Sequence, residues 1–323
     1  MSKSVTIEDF SNPFTGYRTY LGRYWATTIE DWFKSAVCKQ MAGKVNLILT
    51  SPPFPLNRKK SYGNLNGDEY LNWLKSLATP LRDLLADDGS LVIEVGNAWN
   101  PGEPTMTTLP LESLMAVKSE GDFSLCQEFI CHNPARLPSP TQWVNVERAR
   151  MKDSWTRIWW LSKTARPKAD NRNALLPYSK DMMRLLKSQK YNAGSRPSEH
   201  RIGSKSFLKD NGGSIPASCF TDESLNHFGS LVVASNTINA EPYLKWCRDN
   251  RVKPHPARMQ TSVARLFISF LTSKGDLVFD PFAGSNTTGA AAQALGRRWA
   301  SVEANTQNIE ASKSRLIDRR TRT

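Results

Sequence analysis

The chain has 323 residues, 39% of them hydrophobic, and 43 Lys and Arg against 30 Asp and Glu give it a formal net charge of +13. That length accommodates one large α/β domain or two smaller ones. There is no apolar run of bilayer length, and the opening MSKSVTIEDF lacks a secretory apolar segment, so a cytoplasmic protein with no membrane association is expected.

The cationic excess favours a polyanionic partner, because each neutralised phosphate releases condensed counterions. The five cysteines form no CxxC pair and the four histidines are scattered, which argues against a zinc site; no metal is expected.

Residues 1–43 carry an aromatic cluster (Tyr17, Tyr20, Tyr24, Trp25) and an expected helix over 28–40. From Lys44, KVNLILT reads as a buried strand that stops at Ser51-Pro52-Pro53-Phe54, where two prolines freeze the backbone. Tyr70, Leu71, Leu74, Leu77, Leu81, Leu84 and Leu85 recur at helical spacing, with Asp68 as cap and a stop near Gly89. SLVIEVG, which holds Glu94, is the next strand; strand, helix, strand implies a parallel sheet.

Strands are also expected at 123–131 and 157–163, joined by a long, proline-punctuated basic loop bearing Arg136, Arg148, Arg150 and Lys152. Residues 164–253 show weak periodicity and turn formers such as DNGGSIP, but enough apolar side chains (Leu175, Leu176, Tyr178, Phe207, Phe220, Leu231) for a folded irregular subdomain. Regular elements return with the helix ARMQTSVARLFISFLTSKG, the strand and glycine turn DLVFDPFAG, the helix NTTGAAAQALG, the strand RWASVEA and the helix TQNIEASKSRLIDRR.

DLVFDPFAGSNTTG is strand, turn and helix, with Gly284 in the turn. A glycine there permits close backbone approach, and an acidic residue ending the next strand binds ribose hydroxyls. Glu303, 23 residues after Asp280, has about the right spacing. GK[ST] is absent, so a cofactor with ribose and adenine but no phosphates fits best, S-adenosylmethionine being the common one. The same spelling also serves a turn that only packs a helix tightly.

SPPF (51–54), HPAR (255–258) and DPFAGSNTTG (280–289), in that order, resemble the motifs of the permuted β class of DNA amino-methyltransferases, and the serine form of the catalytic tetrapeptide is typical of cytosine-N4 enzymes. NPARLPSPTQWVN, WWLSKT and LKDNGGSIP extend the resemblance over most of the chain.

The resemblance implies an α/β, Rossmann-like S-adenosylmethionine-dependent fold: a mixed, mostly parallel sheet with helices on both faces and an inserted target-recognition region. It divides the chain into a catalytic half (1–163), a target-recognition region (164–253) and a cofactor half (254–323). The implied enzyme is a cytoplasmic, monomeric modification enzyme of double-stranded DNA, accompanied by a restriction endonuclease reading the same site.

Ser51, Pro52, Pro53 and Phe54 then form the catalytic turn. A cytosine amino nitrogen is a poor nucleophile because its lone pair is delocalised into the ring. If Ser51 Oγ and the Pro52 carbonyl accept its two protons, the pair is freed for transfer, and Phe54 stacks on the flipped base. By the same resemblance Asp280, Pro281, Phe282, Gly284 and Asn286 line the cofactor site, Glu303 binds the ribose and His255 shapes the methionine end. Glu94 either holds Ser51, relays the lost proton or is structural. Relatives often carry Gly-Asp-[SC] ahead of the catalytic turn; here the segment reads Gly22-Arg23-Tyr24, which leaves that cofactor contact to another residue.

Cytosine-C5 chemistry is disfavoured because no Pro-Cys occurs. Adenine-N6 methylation on the same scaffold is the runner-up. RNA or protein-glutamine methylation, and an inactive DNA-binding regulator, rank lower.

Overall fold

The computed structural model describes residues 14–54, 67–203, 207–221, 224 and 242–316. The stretch 55–66 that continues beyond SPPF, Leu231, and the arginines that end the expected last helix lie outside the described residues. Two compact units are formed, Met1–Ala169 with Ser218–Thr323, and Asp170–Ala217.

The described strands, in chain order, are β1 (Gly16–Arg18), β2 (Gly22–Ala26), β3 (Val45–Thr50), β4 (Leu85–Val95), β5 (Ser124–His132), β6 (Trp155–Ser162), β7 (Gly194–Ser195), β8 (Arg201–Ile202), β9 (Cys219–Phe220), β10 (Leu277–Asp280) and β11 (Arg298–Glu303). In the first unit nine of them form one sheet in the order β1-β2-β11-β10-β3-β4-β6-β5-β9. The run from β2 to β4 is parallel throughout. β6 and β5 are antiparallel neighbours, and β9 rejoins parallel to β5. The sheet is therefore mixed and mostly parallel, as expected.

Strands covered on both faces need near-continuous apolar sequence. VNLILT meets that demand, with every residue of β3 buried except Asn46.

Two expectations shift. In place of one helix over 28–40 there are α1 (Ile29–Phe33) and α2 (Ala36–Met41), because Ser35 Oγ accepts the Cys38 N–H and starts a second helix. α3 (Gly67–Leu84) buries Tyr70, Leu74, Leu77, Ala78, Leu81 and Leu84 along one stripe, but it ends at Leu84 rather than near Gly89. Leu85 already pairs with Val45 of β3, so sheet pairing ends the helix ahead of the glycine. α4 (Leu109–Glu120) follows β4.

The N-terminal hairpin β1–β2, unassigned from sequence, extends the sheet beyond β11. Gly22 is required there: a Cβ would lie 2.2 Å from the Trp299 ring.

The second unit holds α5 (Lys180–Ser188), the two-stranded β7–β8 ribbon, and a bridge between Leu176 and Ser214. Tyr178 Oη accepts the Asn211 N–H at 2.7 Å, which closes the DNGGSIP turn onto the segment before α5. α6 (Pro242–Asp249), α7 (Thr261–Leu271), α8 (Thr287–Ala294) and α9 (Asn308–Lys313) complete the described α-helices of the first unit, which also holds a π-helical turn at Gln142–Val146. Among the described residues no helix is long and apolar enough to cross a membrane.

Candidate active site

β3 and β10 are parallel neighbours, so the turns that follow them, SPPF and DPFAG, leave the same edge of the sheet. In open α/β sheets that carboxyl edge is where ligands bind. The two turns are joined directly: Thr50 Oγ1 donates to Asp280 Oδ1 at 2.8 Å. The same oxygen accepts the Phe282 N–H at 3.1 Å, which folds the DPF turn back on its carboxylate. Burial pushes the Asp280 carboxyl up to about 6, against the hydrogen bonds from Thr288, Thr50 and Phe282.

Gly284 occupies the next turn at φ +49, and an added Cβ would meet the His255 ring at 3.0 Å. Its N–H donates to Glu303 Oε2 at 2.8 Å, and its carbonyl accepts from Tyr24 Oη at 3.0 Å. Glu303 Oε1 also accepts from the Asn305 N–H and from Asn308 Nδ2, at 2.9 and 3.3 Å. Glu303, at the end of β11, therefore braces two loops.

Asn286, at φ +58, is fully buried; its Nδ2 donates to Tyr17 Oη at 3.0 Å and its Oδ1 accepts from Ser301 Oγ at 2.8 Å. It shapes the turn from behind. Tyr17 stacks on Tyr24 at 4.9 Å, and burial pushes the Tyr17 phenol up to about 12 and that of Tyr24 well above its ordinary value.

Pro281 is buried, while Phe282 is half-buried and packs against Trp73 at 5.5 Å. His255 is held in a tight turn: its N–H donates to Tyr243 Oη at 2.9 Å, its ring Nδ1 contacts the Ala257 carbonyl, and its own carbonyl accepts from Arg258 at 2.8 Å. HPAR thus reaches the glycine turn. On the other turn Ser51 is exposed and Pro52 buried. Phe54 is only 8% exposed and lies edge-on to Tyr70 at 5.5 Å, which anchors it in the turn.

Glu94 lies one residue beyond Ile93, which pairs with Thr50, so the register sets it beside Ser51 at the sheet edge. Thr156 Oγ1 donates to its Oε1 at 3.2 Å. Burial pushes the Glu94 carboxyl up to about 7, opposed by Thr156 and the Arg136 charge. A polar cavity of about 140 Å³ opens here, bounded by Glu94, Asn133, Arg136, Thr156 and Gln260.

Of the four basic candidates, Arg136 is engaged by Asp153 and the Trp155 carbonyl, both at 2.9 Å, and Lys152 by the Pro134 carbonyl at 2.8 Å. Arg150 lies 2.8 Å above the Trp99 ring, and Arg148 is exposed.

The residues that sequence reasoning missed are Thr50, Tyr17, Tyr24 and Asp153. Only the tyrosines left a signal, as an aromatic cluster without an assigned role.

The set fits S-adenosylmethionine. Glu303 accepts three bonds and retains a lone-pair site for a hydroxyl, Phe282 leaves part of its ring open, and the turn carries no phosphate-gripping lysine.

Residues 45–314 match the family of DNA methylases. The type II methyltransferase M.PvuII of Proteus hauseri is 41% identical over 276 residues, covering 85% of this chain and 78% of that protein. The solved PvuII DNA methyltransferase (cytosine-N4-specific) superposes with a TM-score of 0.71 at 31% identity, covering 94% of this chain and 89% of that one. A DNA modification methylase of Thermus thermophilus complexed with S-adenosyl-L-methionine shares the fold at 18% identity, with a TM-score of 0.53 over 91% of each chain. With the SPPF and DPFAG turns meeting at one sheet edge and relatives matched over most of its length, the chain belongs to the DNA methylase family.

Proposed function

We propose that the protein transfers a methyl group from S-adenosylmethionine to N4 of a cytosine flipped out of double-stranded DNA, in a short recognition site. The observation that carries this reading is the Thr50–Asp280 hydrogen bond, which couples a Ser-Pro-Pro-Phe turn to a cofactor-type glycine turn across adjacent strands. The similarity to M.PvuII supports cytosine N4 as the target.

The cofactor supplies an electrophilic methyl group; the chain supplies position and proton handling. Ser51 Oγ and the Pro52 carbonyl accept hydrogen bonds from the two amine N–H groups and so free the nitrogen lone pair. Phe54, held by Tyr70, walls the base site, and Pro53 stiffens the turn. Glu94 takes the proton the amine loses, an exchange suited to a carboxyl near neutrality. Glu303 binds the ribose, Asp280, Pro281, Phe282, Gly284 and Asn286 build the cofactor turn, and His255 closes its methionine end. Orientation of two bound partners can contribute roughly 7–11 kcal/mol.

Residues 164–253 serve target recognition within a chain whose catalytic and cofactor halves are 1–163 and 254–323. In support, α5 has no buried residue and carries Lys180, Arg184 and Lys187. Arg136, Arg148, Arg150 and Lys152 belong to the loop that meets DNA. The enzyme acts as a cytoplasmic monomer, and its methylation protects the site from a cognate restriction endonuclease.

The test is to incubate the protein with S-adenosylmethionine and unmethylated plasmid, digest to nucleosides and identify the modified base by mass spectrometry. N4-methylcytosine that disappears with Ser51→Ala is the expected result. N6-methyladenine overturns the choice of base, and no modified base overturns the activity.

A further inference from the structure

The loop between β5 and β6 leaves and rejoins the sheet beside the carboxyl end of β4, the edge that bears Glu94. Its base is fastened: the Asn133 N–H donates to the Ser154 carbonyl at 2.7 Å, Lys152 reaches the Pro134 carbonyl, and Arg136 pairs with Asp153. Asn133 and Arg136 also wall the Glu94 cavity. Further along, the N–H groups of Ala149 and Arg150 both donate to the Trp143 carbonyl, and Arg150 stacks on Trp99. This loop is built.

Just beyond the fastened base, one on the outgoing and one on the returning side of the loop, stand Leu137 and Met151, 79% and 90% exposed. One exposed apolar side chain is ordinary on a protein surface. Two large ones next in the chain to Arg136, which walls that cavity, and to Lys152, which fastens the loop's base, with Arg148 also exposed nearby in the chain, need a reason. Duplex DNA supplies one. Basic side chains meet phosphates, and a base that leaves the stack opens a gap that apolar wedges such as Leu and Met fill in other DNA-bending proteins.

We propose that Leu137 and Met151 form the wedge that enters the duplex where the target cytosine has left. The proposal rests on the cytosine-N4 reading. The wedge holds the extruded state open by occupying the vacated stack, and the basic side chains around it seat the loop on the backbone. Neither side chain touches the reacting atoms; both are positioning residues.

The distinguishing measurement compares single-turnover methylation of a matched duplex with that of the same duplex carrying an abasic site opposite the target cytosine, where no pair has to be broken. Leu137→Ala, Met151→Ala and the double variant are assayed beside wild type. Both residues are exposed, so the variants are expected to fold and to bind S-adenosylmethionine as wild type does by isothermal titration. The double variant should lose at least tenfold on the matched duplex and less than twofold on the abasic one. An equal loss on both duplexes would reduce the residues to a general DNA contact, and no loss on either would remove them from the mechanism; each overturns the wedge. If wild type makes no N4-methylcytosine on either duplex, the reading beneath the proposal fails with it.

Discussion

Thr50 and Asp280, the last residues of two neighbouring parallel strands, share a buried 2.8 Å hydrogen bond that ties the SPPF and DPFAG turns together. Replacing Thr50 with Val keeps the shape and removes a donor to a buried carboxylate, a change that costs about 1–3 kcal/mol. Thr50→Val should lower the urea midpoint and weaken S-adenosylmethionine binding, and Thr50→Ser should restore both. Unchanged cofactor affinity in the valine variant would show that the turns act independently.

Glu94 gives a signature in pH. Burial pushes its carboxyl up to about 7, and in the proposed mechanism the deprotonated form accepts the amine proton, so single-turnover rates should fall about tenfold per unit below that pH. Glu94→Gln should flatten this limb and cost roughly 10²- to 10⁴-fold. Thr156→Val removes a hydrogen bond that favours the charged form, so the limb should move to higher pH. An acid limb that persists in Glu94→Gln assigns the proton elsewhere.

Asp280 bears on stability. Its folded value, about 6, is above the ordinary carboxylate value, so the folded state binds the extra proton between about 4 and 6. Stability contributed by this group is therefore highest below that window and is lost as pH rises through it. At one pK unit per about 1.4 kcal/mol, the loss above the window is up to about 3 kcal/mol. Asp280→Asn retains an acceptor for Thr50 and Phe282 without the charge. It should unfold at higher urea than wild type at pH 8, with the difference vanishing near pH 4. A less stable variant at pH 8 would mean that the carboxylate is better satisfied than its burial implies.

Tyr24 and Arg23 separate cleanly. Tyr24→Phe leaves the Gly284 carbonyl without its phenol donor and should weaken S-adenosylmethionine binding by roughly 1 kcal/mol. Arg23 pairs with Ala300, lies 6.0 Å from the Trp25 ring and, as the next residue along β2, projects from the face opposite Tyr24, so Arg23→Asp should leave binding unchanged by titration calorimetry.

The parts legible in the sequence are those with local causes. Proline and glycine dictate their own turns, so SPPF and DPFAG stand out, and the leucine spacing of α3 announces its buried stripe. What remained hidden depends on distant partners. Tyr17 is explained by Asn286, 269 residues away, and Leu85 joins the sheet because Val45 is opposite it. β1 and β2 are too short for periodicity to register, and their place beside β11 is a tertiary fact. Phe54 is similar: the residue type was legible, but its edge contact with Tyr70 and its place in the core were not.

Because Thr50 and Asp280 are 230 residues apart in the chain, the site also has a history in time. β3 is synthesised first, and its neighbour β10 is complete only after the 230 residues that separate Thr50 from Asp280. Until then β3 has an unpaired flank, and a buried threonine hydroxyl waits for its acceptor. Pairings of such long range are slow to close, and open strand edges are where nascent chains stick to one another. The join between the two turns therefore forms only after β10 has been made.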